Sequence, residues 1–84
     1  MNTIKVGELH IGRSYLVSQI RRAVTRYGSA IIIHVDVEGE EFQIFLPNRV
    51  VKIIDEELLK EMADRCQKLE LFIIHNGDGR FNFE

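Results

Sequence analysis

The feature that most constrains this chain is a single strong helix signal with strand signals on both sides of it. Asp55 stands at an N-cap position and Glu56 and Glu57 fill a first turn that favours negative charge. Leu58, Leu59, Met62, Ala63 and Cys66 then recur at helical spacing. Arg65 and Lys68 fall in the last turn, where the helix dipole favours cations. The spacing predicts one amphipathic helix over residues 56–68. Its apolar stripe needs a partner surface, and only strands are on offer to supply one.

Three strands are expected before the helix. Tyr15 to Val24 mixes β-branched and aromatic residues with polar ones, and Gly28 in Thr25-Arg-Tyr-Gly-Ser29 marks the turn that ends it. Ala30 to Val37 alternates, with Ile31, Ile33, Val35 and Val37 on one face and Ala30, Ile32, His34 and Asp36 on the other. Glu38-Gly-Glu40 reverses the chain into Glu41 to Leu46, where Phe42, Ile44 and Leu46 share one parity and Gln43 and Phe45 the other. Pro47 stops that strand, because it has no backbone N–H to donate. After the helix, Glu70 to His75 and Arg80 to Glu84 are expected to pair as a hairpin, with Asn76-Gly77 as the turn signal. Residues 1–13 are read as a lead-in segment.

Three strands, a helix and two strands predict a mainly β fold: a five-stranded Greek-key barrel of the OB type, with the helix between strands three and four plugging one end. An SH3-like barrel usually lacks so regular a helix, and a ubiquitin-like roll would place its helix after the second strand. With 84 residues, the chain is read as a single domain over 1–84. Such a domain buries about 60 to 65% of its unfolded surface and excludes a two-domain enzyme. The one cysteine, Cys66, excludes an internal disulfide and any multi-cysteine metal site, which suits a reducing, intracellular setting. The apolar runs are too short to span a membrane, and the start MNTIKVGE lacks the apolar core of a secretory leader.

The formal charge of −2 argues against coating nucleic acid by bulk positive charge. The charge is nevertheless segregated. Residues 1–35 carry Lys5, Arg13, Arg21, Arg22 and Arg26 against Glu8, a net of +4, whereas residues 36–64 carry a net of −6. A dipolar domain of this kind can turn a basic face to an anionic partner despite its negative total.

Over residues 14–84 a family resemblance enters. The Arg-rich first strand, Thr25-Arg-Tyr-Gly28, the alternating hairpin and Leu46-Pro-Asn-Arg49 resemble small OB-fold single-stranded DNA-binding proteins. The likeness is to those associated with viruses and mobile elements of invertebrates, and more distantly to replication protein A domains. The resemblance implies non-catalytic binding of single-stranded DNA, or of RNA, with little sequence preference. Such folds combine cations that track phosphates with aromatics on which bases stack. Arg21, Arg22 and Arg26 on the first strand or at its end, Tyr27 in the first turn, Phe45 on the third strand, Arg49 and Lys52 after it, and Arg80 beside the last turn are the expected contacts. Arg21 and Arg22, being adjacent on a strand, point to opposite faces unless a bulge intervenes. Tyr27 beside Gly28 could equally brace the turn.

No catalytic spacing is found. His10, His34 and His75 are far apart in sequence, no paired nucleophile accompanies them, and no cofactor or metal is implied. The competing expectation is a protein-binding module or homodimer, motivated by the apolar connector Val50, Val51, Ile53 and Ile54.

Overall fold

The computed structural model describes residues 2–84. In chain order it contains β1 (Asn2–Thr3), a 3-10 turn (Val6–Glu8), β2 (Ser14–Thr25), β3 (Gly28–Val37) and β4 (Glu40–Phe45). There follow α1 (Asn48–Val51), α2 (Glu56–Gln67), β5 (Phe72–Gly77) and β6 (Arg80–Phe83). The strands make one mixed sheet in the order β1-β4-β3-β2-β5-β6. Among the described strands every pairing is antiparallel except that of β1 with β4, and Ile11 adds an isolated parallel bridge to His75.

The mainly β character stands, and α2 begins where the sequence places it: the Asp55 carboxylate accepts the Leu58 N–H at 2.8 Å. The closed five-stranded barrel is corrected. The sheet has six strands and is left open, with β1 and β6 as its two edges. The physical reason lies in the first residues: β1 takes the free side of β4 in parallel register, Asn2 against Phe42 and Thr3 against Gln43.

From there the lead-in segment crosses to the other half of the sheet as part of the core. The Ile4 N–H donates to the Gln43 carbonyl at 3.0 Å. Val6 and Leu9 are buried. The Leu9 carbonyl accepts from His75 Nδ1 at 2.8 Å, and the Gly12 N–H donates to the His75 carbonyl at 2.8 Å. The tautomer of His75 follows: Nδ1 carries the proton, because a carbonyl can only accept.

Side-chain alternation divides the sheet into two faces. Val17, Ile31, Ile33, Val35, Ile44, Leu71 and Ile73 are completely buried. Met62 and Cys66 of α2 and Leu46 and Ile54 of the connector close over this inner face. Burial raises the pKa of the Cys66 thiol, with Arg65 opposing, so the group stays neutral. The connector is not a loose apolar patch: Val50 and Val51 pack against the core, Ile54 is buried, and only Ile53 stands out, 71% exposed.

The turns decide which residues reach the surface. Arg26 and Tyr27 form a two-residue tip closed by Thr25 opposite Gly28. Thr25 Oγ1 accepts the Tyr27 N–H at 3.2 Å and donates to the Gly28 carbonyl at 2.9 Å. Thr25 thus braces the turn and leaves Tyr27 90% exposed. The last hairpin turns on Asp78 and Gly79, both at positive φ (53° and 73°), two residues beyond the Asn76-Gly77 signal. Asn76 is absorbed into β5 by a register shift between His75 and Gly77.

Candidate nucleic-acid interface

On the face of the sheet away from α2, register sets up rows across β2, β3 and β4. Arg21 pairs with Ile32 and Ile32 with Phe45, so a cation, an aliphatic and an aromatic side chain lie side by side. Ile32 is only 4% exposed although it lies outside the core cluster, as expected if its two row neighbours lean over it. Phe45 keeps 45% of its surface exposed. The next row toward the β3–β4 turn is Gln19, His34 and Gln43, with Thr3 of β1 beyond, its hydroxyl accepting from Gln43 Nε2 at 2.9 Å. The row after that is acidic, Asp36 against Glu41. The outer face therefore runs from a basic, aromatic end near the β2–β3 turn to an acidic end near the β3–β4 turn.

Of the expected contacts, Arg22 is engaged within the fold. It points to the inner side of β2, where Nη2 donates to the Ile54 carbonyl at 3.0 Å. Its Nε lies 2.8 Å from Glu56 Oε1, a charge contact whose N–H direction misses hydrogen-bond geometry. Arg22 fastens β2 to the start of α2. The bulge that could have turned it outward lies upstream, between Val17 and Gln19, so Arg21 and Arg22 keep opposite faces.

Three open depressions adjoin one another along the remaining candidates. The first, about 500 Å³, is lined by Arg26, Tyr27, Ala30, Phe45, Leu46 and Asn48 among others. The second, about 590 Å³, shares Phe45 and adds Lys5, Pro47, Arg49 and Gly79. The third, about 1080 Å³, shares Arg49 and adds Leu58, Arg65, Arg80 and Phe81. The band thus links the β2–β3 turn to the β5–β6 turn through Phe45. Arg26 stacks its guanidinium 5.9 Å from the Tyr27 ring centre. Among the described residues, Lys5, Arg21, Arg26, Arg49 and Arg80 have no carboxylate within ion-pair distance. Asp78 is the acid that borders the second and third depressions. Arg21 and Lys52 line none of the three; Arg21 reaches the band only through its row with Ile32 and Phe45, and Lys52 stands apart from it.

Lys5 is the residue that sequence reasoning missed. It was legible as a member of the basic first third, but its place beside Phe45 and Arg49 depends on the parallel pairing of β1 with β4. Arg65 also reaches the third depression, with Nη2 donating to the Glu70 carbonyl at 3.0 Å.

Folding also brings together Ser18, His34 and Glu41. The Ser18 hydroxyl donates to Glu41 Oε1 at 2.9 Å, and His34 Nδ1 lies 3.4 Å from the same oxygen. A nucleophile relay needs the imidazole between hydroxyl and carboxylate. Here the carboxylate takes the hydroxyl directly, and His34 Nε2 is buried without a partner. The described residues hold no group of three metal-ligating side chains, and no described helix is long and apolar enough to cross a membrane. Comparison of the chain with protein-family models, curated proteins and solved structures finds no match.

Proposed function

We propose that the protein binds single-stranded nucleic acid without catalysis and with little base preference, taking single-stranded DNA over RNA. The observation that carries this reading is the band of adjoining depressions in which Arg26, Tyr27, Phe45, Lys5 and Arg49 follow one another. A sequence-tolerant strand site needs cations spaced for phosphates and exposed rings on which any base can stack. Unpaired guanidinium and ammonium groups suit this role, because no internal salt bridge has to break before a phosphate is met.

The fold supports the same reading. The order β4-β3-β2-β5-β6 with α2 between β4 and β5 is the strand order of an OB-like domain. We read this protein as such a domain left open between β1 and β6. In that architecture ligands lie across the β2–β3–β4 face between the turns that the band connects.

The test is a fluorescence anisotropy titration with labelled oligonucleotides of about 15 to 20 nucleotides, as single-stranded DNA, single-stranded RNA and duplex DNA. The expected result is tightest binding to single-stranded DNA, with affinity falling linearly in log salt. Absence of binding at low salt and high micromolar protein removes the proposal.

A further inference from the structure

We infer that β6 is a self-complementary edge through which two copies of this chain pair antiparallel, joining their sheets into one. The inference does not rest on the nucleic-acid reading. β6 is paired on one side alone, by β5. Phe72 and Glu84 exchange both backbone hydrogen bonds, the Phe72 N–H to the Glu84 carbonyl at 3.1 Å and the Glu84 N–H to the Phe72 carbonyl at 2.8 Å. Ile73 then faces Phe83, and Ile74 faces Asn82. Hydrogen-bonded and non-hydrogen-bonded pairs alternate in an antiparallel ladder. Asn82 therefore turns its backbone groups toward β5, while Phe81 and Phe83 turn theirs to the open edge.

The side chains along this edge read Arg80, Phe81, Asn82, Phe83, Glu84. A two-fold axis at Asn82 sets Phe81 opposite Phe83 of the second copy, the pair whose backbone groups point outward, and so gives four new backbone hydrogen bonds. The same axis sets Arg80 opposite Glu84 of the second copy, twice, and Asn82 opposite itself. Opposite charges directly across strands stabilise, and like charges destabilise. A shift of register by one residue would set the aromatic rings on opposite faces. Phe81 and Phe83 already meet edge to face, 5.7 Å apart at 86°. The two-fold operation places a second such pair beside them. Ile53, 71% exposed, and Leu58, 37% exposed, border the same groove and are positioned to be covered. In the dimer Arg80 is committed to Glu84 of the second copy, and the strand-binding band keeps Arg26, Phe45, Lys5 and Arg49.

A short edge flanked by charges is also a common way to prevent pairing, so the test must separate the two. Sedimentation velocity over a rising protein concentration is expected to show a dimer. Arg80→Glu converts both ion pairs into like-charge pairs and should weaken dimerisation about tenfold or more. The double variant Arg80→Glu with Glu84→Arg should restore it to within about threefold. Asn82→Cys sits at a non-hydrogen-bonded pair, where Cα atoms approach to about 4.5 Å, and should form a disulfide-linked dimer under mild oxidation. Asn76→Cys, exposed on β5, should not. A protein that stays monomeric, an Arg80→Glu variant that dimerises as well as the parent, a charge swap that fails to recover, or equal cross-linking at both positions overturns the inference.

Discussion

The two faces of the β2–β3–β4 meander are made from alternate residues of the same strands, yet they do different work. The inner face is aliphatic and closed: Ile31, Ile33, Val35 and Ile44 have no exposed surface. The outer face carries Arg21, Ile32 and Phe45 in one row and Gln19, His34 and Gln43 in the next, with Ile32 and His34 buried and Phe45 half-exposed. Neighbours in sequence therefore answer to different demands. Ile32 and Ile33 are both buried, but Ile33 belongs to the core cluster and Ile32, in a row between Arg21 and Phe45, does not. Burial alone does not distinguish a core residue from the floor of the proposed binding face; what covers the residue does.

The largest expected effect breaks this comparison at Ile33. Ile33→Ala should destabilise by about 2 to 5 kcal/mol, since the site cannot collapse around the missing atoms. That is a large share of what a domain of this size has, and thermal denaturation should show a drop of tens of degrees or no cooperative transition. Ile32→Ala should cost clearly less in the same measurement, because Arg21 and Phe45 can settle into the gap. Equal losses would mean the outer face is a second core.

The next effect sharpens the comparison at Phe45. Phe45→Ala should weaken single-stranded DNA binding by about 5- to 150-fold, the worth of one base stack, with a small change in melting temperature. A large loss of stability with unchanged affinity would return Phe45 to a purely packing role. The smallest effects separate the arginines. Arg26→Ala should lower the log–log salt slope of binding by about one and leave stability unchanged. Arg22→Ala should leave the slope alone and destabilise by about 1 to 2 kcal/mol, because the Ile54 carbonyl loses its donor. Salt titrations and melting curves on both variants check the pair.

How much of this was legible in advance differs between levels. The parity of Ile31, Ile33 and Val35 against Ile32 and His34 was readable because alternation is a local property of an extended chain. So was the start of α2, since a cap and a dipole act within one turn. The tip Arg26-Tyr27 was readable from Gly28, but Thr25, and not Tyr27, braces it. That choice depends on which hydroxyl reaches the turn backbone. The last hairpin was readable from the Asn76-to-Gly79 run, but the turn falls two residues beyond the Asn76-Gly77 signal, because a bulge in β5 takes up Asn76.

By itself, then, the sequence determined the strand alternation, the capped helix and the separation of basic from acidic segments, all set by steric and electrostatic rules that act between near neighbours. Tertiary structure alone decided that Arg22 ties down a helix while Arg26 stays free. It decided that β1 joins β4 and leaves the sheet open, and that Lys5 comes to lie beside Phe45 and Arg49. Those outcomes join residues dozens of positions apart, and only the packing of the whole chain, balancing burial against the satisfaction of backbone hydrogen bonds, selects among them.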